Sequence, residues 1–170
     1  MAFRISILPL GEIERDILDT IKRGIEEIYG FPSRIEEEFP FPHFSYNPSR
    51  KQYLSRLILE SMPQPRKDEL IIGIIDADLY APGLNFVFGE ASPSSGKAVI
   101  GLRRLREEFY GRPKNRELFR ERALKEAIHE IGHLIGLRHC DNPKCVMFFS
   151  NTLKDTDIKN KKPCKKCMGE

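Results

Sequence analysis

Hydrophobic residues near the start of the chain follow a strand period and then a helix period. Residues 3–8 alternate between apolar and polar side chains, which predicts a first strand. Isoleucines then recur every three or four residues, as on the buried stripe of an amphipathic helix, at Ile13, Ile17, Ile21, Ile25 and Ile28. Gly30 and Pro32 follow directly and predict where this helix ends.

The next part of the chain has weaker patterns. Residues 34–39 predict a second strand, and residues 41–48 predict a loop because they contain three aromatic residues and two prolines. Ser49 is a candidate N-cap for a second helix, which we expect to end before Pro63.

The second half of the chain contains the strongest buried elements. Residues 70–76 are rich in isoleucine and flanked by charges, which predicts a central strand that is covered on both faces. Further strands are predicted at residues 86–88 and 98–102, with a turn at residues 92–96 between them. A long helix is predicted over residues 116–137. Strands and helices in this order indicate an α+β fold or a mixed α/β sandwich.

Composition and charge narrow the classes of function. The 170 residues, of which 40% are hydrophobic, suffice for one domain with its own core. Positive and negative charges nearly cancel at +3, which argues against a nucleic-acid partner or an anionic membrane surface. The longest apolar run, residues 70–75, is too short to span a bilayer, and residues 1–10 lack the pattern of a secretory signal. We therefore expect a cytoplasmic monomer with no membrane partner.

The predicted long helix carries two metal-binding side chains. His129 and His133 are one helical turn apart, so both imidazoles can bind the same ion. At about 100° per residue they lie roughly opposite an apolar stripe. That stripe is formed by Leu124, Ile128, Ile131 and Ile135. The pattern predicts a helix that buries one face and turns both imidazoles toward a cleft.

A third ligand is predicted after a turn. Gly136 comes three residues after His133 and tolerates the left-handed backbone that ends many helices. The chain then brings His139 back as a third ligand and leaves a fourth zinc position for water, as in catalytic sites. Glu130 directly follows the first ligand and is the candidate general base. The alternative, two surface histidines that bind nothing, does not account for Gly136 and His139 at these offsets.

All four cysteines lie after residue 139. Cys140 and Cys145 form one pair and Cys164 and Cys167 form another, a spacing that suits a closed tetrahedral zinc site. Nearby lysines favour the thiolate form that binds zinc. Two disulfides or free thiols are the alternatives, although a reducing cytosol disfavours disulfides. The sequence thus predicts two zinc ions, one catalytic and one structural.

Taken together, these residues resemble a known family. The stretch from His129 to His139, followed by Met147, is similar to the metzincin zinc peptidases. The pairs His139–Cys140 and Cys164–Cys167, with Cys145 two residues before the methionine, make the chain resemble the archaemetzincins in particular. The resemblance covers residues 129–167, and its gap between Met147 and Cys164 is one residue shorter than in the family pattern.

The resemblance implies a metzincin-like α+β fold. A mostly parallel, twisted sheet would pack on helices, and residues 1–136 would end with the zinc-binding helix. Residues 137–170 would form an irregular C-terminal subdomain around the four-cysteine zinc site, within a single peptidase domain. Met147 by itself reads as a core residue. The family implies that it lies in a tight turn beneath the catalytic zinc without binding it.

Two functional hypotheses follow. The first is a zinc-dependent peptidase in which an extended peptide or protein substrate pairs with an edge strand at residues 85–91. The proposed contacts are Asn85, Phe86, Val87, Phe88 and Gly89. The second is a non-catalytic zinc protein that binds a partner through the cleft and the basic, cysteine-rich tail. An intact Glu130 argues against the second, because a purely structural site needs no base.

Overall fold

The helices and strands form a layered structure around a five-stranded sheet. The computed structural model describes residues 2–170. The strands are β1 (Arg4–Leu10), β2 (Ser33–Ile35), β3 (Tyr46–Asn47), β4 (Gln52–Leu54), β5 (Glu69–Ile75), β6 (Leu79–Tyr80), β7 (Gly89–Ser92) and β8 (Lys97–Gly101). The helices are α1 (Arg15–Tyr29), α2 (Ser55–Ser61), α3 (Arg116–Leu134) and α4 (Leu153–Ile158). Short 3₁₀ helices lie at His43–Ser45, Arg103–Leu105 and Glu107–Tyr110.

The main sheet has the order β2-β1-β5-β8-β7. Its neighbouring strands are parallel except for the antiparallel pair β7 and β8. At the centre, Ile72 of β5 pairs with Ile7 on one side and Ala98 on the other. Burial on both faces explains the unbroken apolar run of this strand. β7 forms one edge of the sheet, next to α3, while β3, β4 and β6 form a smaller second sheet.

Two apolar layers cover the faces of the main sheet. α1 and α3 pack on one face, where Ile21 and Ile128 are fully buried. α2 packs on the other face through Ile58. Met147 belongs to the first cluster, so part of the C-terminal segment packs directly against the main core. The division into subdomains at residue 136 stays a prediction.

The predicted elements with regular patterns are confirmed. The first strand, the isoleucine-rich helix, the central strand and its neighbour correspond to β1, α1, β5 and β8. Gly30 has a left-handed φ of 72° at the end of α1. The long helix begins at Arg116 as predicted, but it ends at Leu134, before the left-handed Gly136 with its φ of 100°.

Two predictions about local structure are wrong. Ser49 does not cap a helix, because residues 52–54 form β4 and α2 begins only at Ser55. Tyr53 explains the difference, since its ring packs against Phe41 and Tyr46 and holds this segment extended. The predicted strand at residues 34–39 is also too long, because β2 ends at Ile35 and only a single bridge follows, at Phe39.

The edge strand lies later in the chain than predicted. Residues 85–88 are not part of a strand, although Val87 makes one isolated bridge to Leu79. Pairing with β8 begins at Gly89, opposite Ile100. The rings of Phe86 and Phe88 instead pack edge to face, with centroids 5.0 Å apart. Apolar residues two positions apart are typical of a paired strand, but here they pack on each other in a loop. The sequence pattern is the same in both cases, which accounts for the error.

The prediction that α3 buries only one face is also wrong. Residues 122–132 are all buried, including the charged side chains of Arg122, Glu126 and Glu130. The reason is that the C-terminal segment packs on the side of α3 away from the sheet, with Thr156 bonded to Glu126. No helix in the part of the chain that the structure describes is long and apolar enough to cross a membrane.

Candidate zinc centres and active site

α3 and the turn after it bring three histidines together. His129 and His133 are one turn apart near the end of α3, and the chain turns at Gly136 before it reaches His139. The ring centroids are 4.7 Å apart for His129–His133 and for His133–His139, and 5.4 Å apart for His129–His139. One potential ligand atom from each ring lies within 4.8 Å of the other two.

Hydrogen bonds behind two of the rings fix their orientation. His129 Nδ1 lies 2.8 Å from the Val146 carbonyl oxygen, and His133 Nδ1 lies 2.9 Å from the Leu137 carbonyl oxygen. Because a carbonyl only accepts, each Nδ1 carries the proton and each Nε2 carries a lone pair. The two Nε2 atoms are 3.1 Å apart, where lone pairs repel unless both face a cation. Tetrahedral zinc with nitrogen ligands at about 2.0–2.1 Å places them about 3.3 Å apart, so these residues fit zinc.

The electrostatics of the three rings favour the neutral form that binds metal. Burial lowers the pKa of His129 well below its ordinary value, and the Lys159 ammonium adds to this effect. Burial likewise lowers the pKa of His133 and of His139. A lowered pKa means that protons compete less with a metal ion for the imidazole nitrogens.

Glu130 lies between the histidines and the edge strand. Its side chain is buried against Gly89, where a Cβ atom would come within 2.9 Å of Glu130 Oε1. Burial raises the pKa of Glu130 well above its ordinary value, the charge of Glu126 adds to this, and Lys159 opposes it. A carboxylate with a raised pKa accepts a proton more strongly once it is ionised.

The four cysteines form a second cluster with tetrahedral spacing. Cys140 Sγ lies 3.9 Å from Cys164 Sγ, and Cys145 Sγ lies 3.8 Å from Cys167 Sγ. All four sulfur atoms lie within 4.8 Å of one another. Sulfur atoms bound to zinc at about 2.3 Å are about 3.8 Å apart, whereas a disulfide needs about 2.05 Å. The cluster therefore fits one tetrahedral metal ion, and the four cysteines are free of disulfides.

Backbone groups prepare the cysteine cluster for a metal. Cys145 Sγ accepts hydrogen bonds from the N–H groups of Met147 at 3.4 Å and Cys164 at 3.2 Å. A hydrogen bond from the Cys167 backbone, with further bonds from the neighbouring thiols, lowers the pKa of Cys164 to about 7. Burial raises the pKa of Cys145 and of Cys167. Without a metal, Cys164 is therefore the thiol that ionises first among these three.

Met147 is fully buried beneath the C-terminal part of α3. Its sulfur packs on Gly132, where a Cβ atom would approach within 2.4 Å of Met147 Sδ. Its carbonyl oxygen accepts a hydrogen bond from Cys140 N at 3.0 Å. The methionine thus lies between the helix that carries the histidines and the first cysteine.

A cleft beside α3 contains His129 and Glu130 in its wall. The predicted substrate contacts all line this cleft, namely Asn85, Phe86, Val87, Phe88 and Gly89. Gln52 Nε2 holds the Asn85 carbonyl oxygen at 2.8 Å, which helps to fix this wall. Phe149 and Ser150 also line the cleft. The loop before the edge strand and the segment after Met147 therefore share one cavity with His129 and Glu130.

Two residues next to the site had no clear signal in the sequence. Glu126 lines the cleft and lies one helical turn before Glu130, a spacing that could have suggested a shared face. Lys159 is fully buried, with Nζ 3.3 Å from Glu126 Oε1. It stands in a lysine-rich tail whose other members are exposed, so nothing in the sequence separates it from a solvated residue.

Comparison with known proteins decides the family. Residues 42–170 match the family model described as peptidase family M54. The chain is similar to the archaemetzincin of Methanocaldococcus jannaschii, with 46% identity over 168 residues that cover 99% of this chain and 92% of that protein. The chain belongs to the archaemetzincin family. It is therefore a zinc metallopeptidase, and peptides or proteins are its class of substrate.

Solved structures of similar proteins have the same fold. The crystal structure of the Archaeoglobus fulgidus archaemetzincin complexed with malonate matches with a TM-score of 0.86 and 36% identity, covering 98% of this chain and 99% of that chain. A zinc-dependent peptidase from Methanocorpusculum labreanum matches with a TM-score of 0.86 and 30% identity, covering 97% and 98%. The predicted metzincin-like α+β fold is confirmed.

Proposed function

We propose that the chain hydrolyses peptide bonds at a zinc ion held by His129, His133 and His139, with Glu130 as general base. When bound, zinc supplies Lewis acidity, which lowers the pKa of water and polarises a carbonyl group. The observation that supports this proposal best is the buried Glu130, which lines one cleft with His129, the first of three convergent imidazoles. A structural zinc site needs no such carboxylate.

Glu130 is proposed to move one proton in each half of the reaction. It first accepts a proton from the attacking water and then donates that proton to the departing amine nitrogen. Its raised pKa suits the first step, because the carboxylate is a stronger base than that of an exposed glutamate. Gly89 leaves the carboxylate room against β7.

The substrate is proposed to lie along the cleft beside β7. This strand pairs with β8 on one side, and no strand within residues 2–170 pairs with its other edge in the main sheet. An extended peptide can add to such an edge through backbone hydrogen bonds. Asn85, Phe86, Val87, Phe88 and Gly89 are the proposed contacts, even though only Gly89 belongs to the strand.

A second zinc ion is proposed at Cys140, Cys145, Cys164 and Cys167. Four thiolates fill a tetrahedral zinc ion completely, which makes this a structural site. It would join the chain that follows the zinc helix to the C-terminal residues. The alternative of a non-catalytic zinc protein has no observation in its favour.

The test combines metal content with cleavage of a peptide library. We expect two zinc ions per chain and cleavage that falls by about 100- to 10,000-fold in Glu130→Gln, since the general base is lost while the shape is kept. Glu121→Gln is the matched control, because Glu121 is exposed on the same helix. Full activity in Glu130→Gln would refute the role of Glu130. A single zinc ion in metal-sufficient protein would refute the second site.

A further inference from the structure

Ser150 has an unusual side-chain environment. Ser150 is only 8% exposed. Among residues 2–170, its Oγ is the one buried side-chain oxygen or nitrogen that has no hydrogen-bond partner. A buried hydroxyl without a partner destabilises a folded protein, and native structures contain few of them. Such a group therefore calls for an explanation outside the packing of the chain itself.

The position of Ser150 suggests what that explanation is. Ser150 lines the same cleft as His129 and Glu130. Its neighbour Phe149 places its ring centroid 5.1 Å from that of His139. Ser150 thus lies in the wall of the proposed peptide-binding cleft, beside Phe149 and close to His139, while its Oγ is turned away from the open space of the cleft.

Ordered contacts hold the backbone on both sides of Ser150. The Phe148 carbonyl oxygen accepts a hydrogen bond from Lys159 Nζ at 3.2 Å. Lys159 also pairs with Glu126 of α3, which ties this segment to the zinc helix. On the other side, the Asn151 N–H donates to Asp155 Oδ2 at 3.0 Å. The serine is therefore fixed in position before any ligand arrives.

We propose that the Ser150 hydroxyl binds the substrate by donating a hydrogen bond to a carbonyl oxygen of the peptide in the cleft. This inference rests on the proposed peptidase function and adds a residue to it. A serine hydroxyl can turn about χ1 among three staggered positions, so it can meet a peptide without movement of the backbone. The peptide carbonyl supplies the acceptor that the chain does not provide.

The test uses Ser150→Ala, with Ser94→Ala as a control at an exposed turn between β7 and β8. Loss of one substrate hydrogen bond should lower kcat/KM by about 5- to 20-fold. The melting temperature should stay the same or rise, because the alanine removes an unpaired polar group from the interior. Zinc content should not change. A residue that mattered only for packing would give the opposite pattern, with lower stability and unchanged kcat/KM.

A binding measurement separates this inference from the proposed function. A library of capped decapeptides is applied to zinc-loaded Glu130→Gln protein and to the double variant with Ser150→Ala, and the retained peptides are quantified by mass spectrometry. We expect the double variant to retain at least fivefold less. Equal retention, kcat/KM within twofold of wild type, or a marked fall in melting temperature would overturn the role of Ser150. If wild type cleaves no peptide and Glu130→Gln retains none, the proposed function itself fails, and the ligand assigned to Ser150 fails with it.

Discussion

At the scale of single residues, two glycines leave the space that side chains of the site occupy. Gly89 faces the carboxylate of Glu130, and Gly132 faces the sulfur of Met147. Neither glycine has a left-handed backbone, so the requirement is for space and not for an unusual conformation. The position of Gly132 between Glu130 and His133 can be read from the sequence. The sequence does not show that this glycine makes room for the sulfur of Met147.

Gly89→Ala should impair catalysis. The added Cβ would lie 2.9 Å from Glu130 Oε1 and 2.7 Å from the Val99 carbonyl oxygen, so both the carboxylate and the backbone of the β7–β8 pair have to shift. We expect kcat to fall by at least tenfold, because small displacements of a catalytic group are costly. Gly73→Ala is the control, since its Cβ would meet only the side chains of Leu10 and Met62, at 3.0–3.1 Å. Equal kcat in both variants, measured at equal zinc content, would contradict the prediction.

Cys164 should react faster than Cys145 and Cys167 in protein stripped of metal and kept reduced. Its pKa of about 7 means that about half of it is thiolate at neutral pH, while Cys145 and Cys167, whose pKa values are raised, stay protonated. Iodoacetamide labelling followed by peptide mapping should find Cys164 modified before these two, with a rate that rises with pH to a midpoint near 7. Zinc should protect it. Faster labelling of Cys167 would show that this assignment of charge is wrong.

At the scale of helices and strands, prediction succeeded where the pattern of apolar residues within one segment reports how that segment is buried. The isoleucine stripe of α1 reports burial of one face of a helix, and the apolar run of β5 reports burial between two layers. Both patterns lie within a single short segment of the sequence. β7 and α4 depend on distant partners instead. β7 starts where β8 offers Ile100 as a partner, and α4 is a short helix whose Thr156 bonds to a buried glutamate of α3.

The convergence of the three histidines was predicted more completely than their surroundings for the same reason. Their positions follow from spacing along one helix and one turn, whereas the burial of α3 on its second side depends on residues 145–159. Lys159 belongs to this segment that buries α3, and nothing in the sequence distinguishes it from the exposed lysines nearby. Its pairing with Glu126 joins α3 to the residues that follow α4.

Lys159→Met should destabilise the protein strongly, because Glu126 would keep a buried charge without its cation. Removal of one partner from a buried ion pair typically costs about 3–5 kcal/mol. In the double variant with Glu126→Gln, the loss should be clearly smaller than the sum of the two single losses. Urea unfolding of zinc-loaded protein measures all three. Additive losses would mean that the two side chains do not stabilise each other.

At the scale of the whole molecule, the two proposed metal sites share their supports. His139 and Cys140 are consecutive, and Cys145 is followed by Val146, whose carbonyl oxygen orients His129 at 2.8 Å. Cys140 N also bonds to the carbonyl oxygen of Met147. A metal ion at the cysteines would therefore hold both the third histidine and the backbone group that fixes the first one.

This arrangement predicts that loss of the cysteine site weakens the histidine site. Cys145→Ser should bind one zinc ion fewer, and the remaining ion should bind about 10- to 100-fold more weakly, as when groups that orient a ligand are lost. Lys165→Ser is the control, because Lys165 is exposed in the turn between Cys164 and Cys167 and offers no ligand. Zinc content by mass spectrometry and competition with a coloured chelator would measure both effects. If Cys145→Ser kept two zinc ions, Cys145 would not be needed to hold the second ion. If its single ion bound as tightly as in wild type, the two sites would be independent despite their shared backbone.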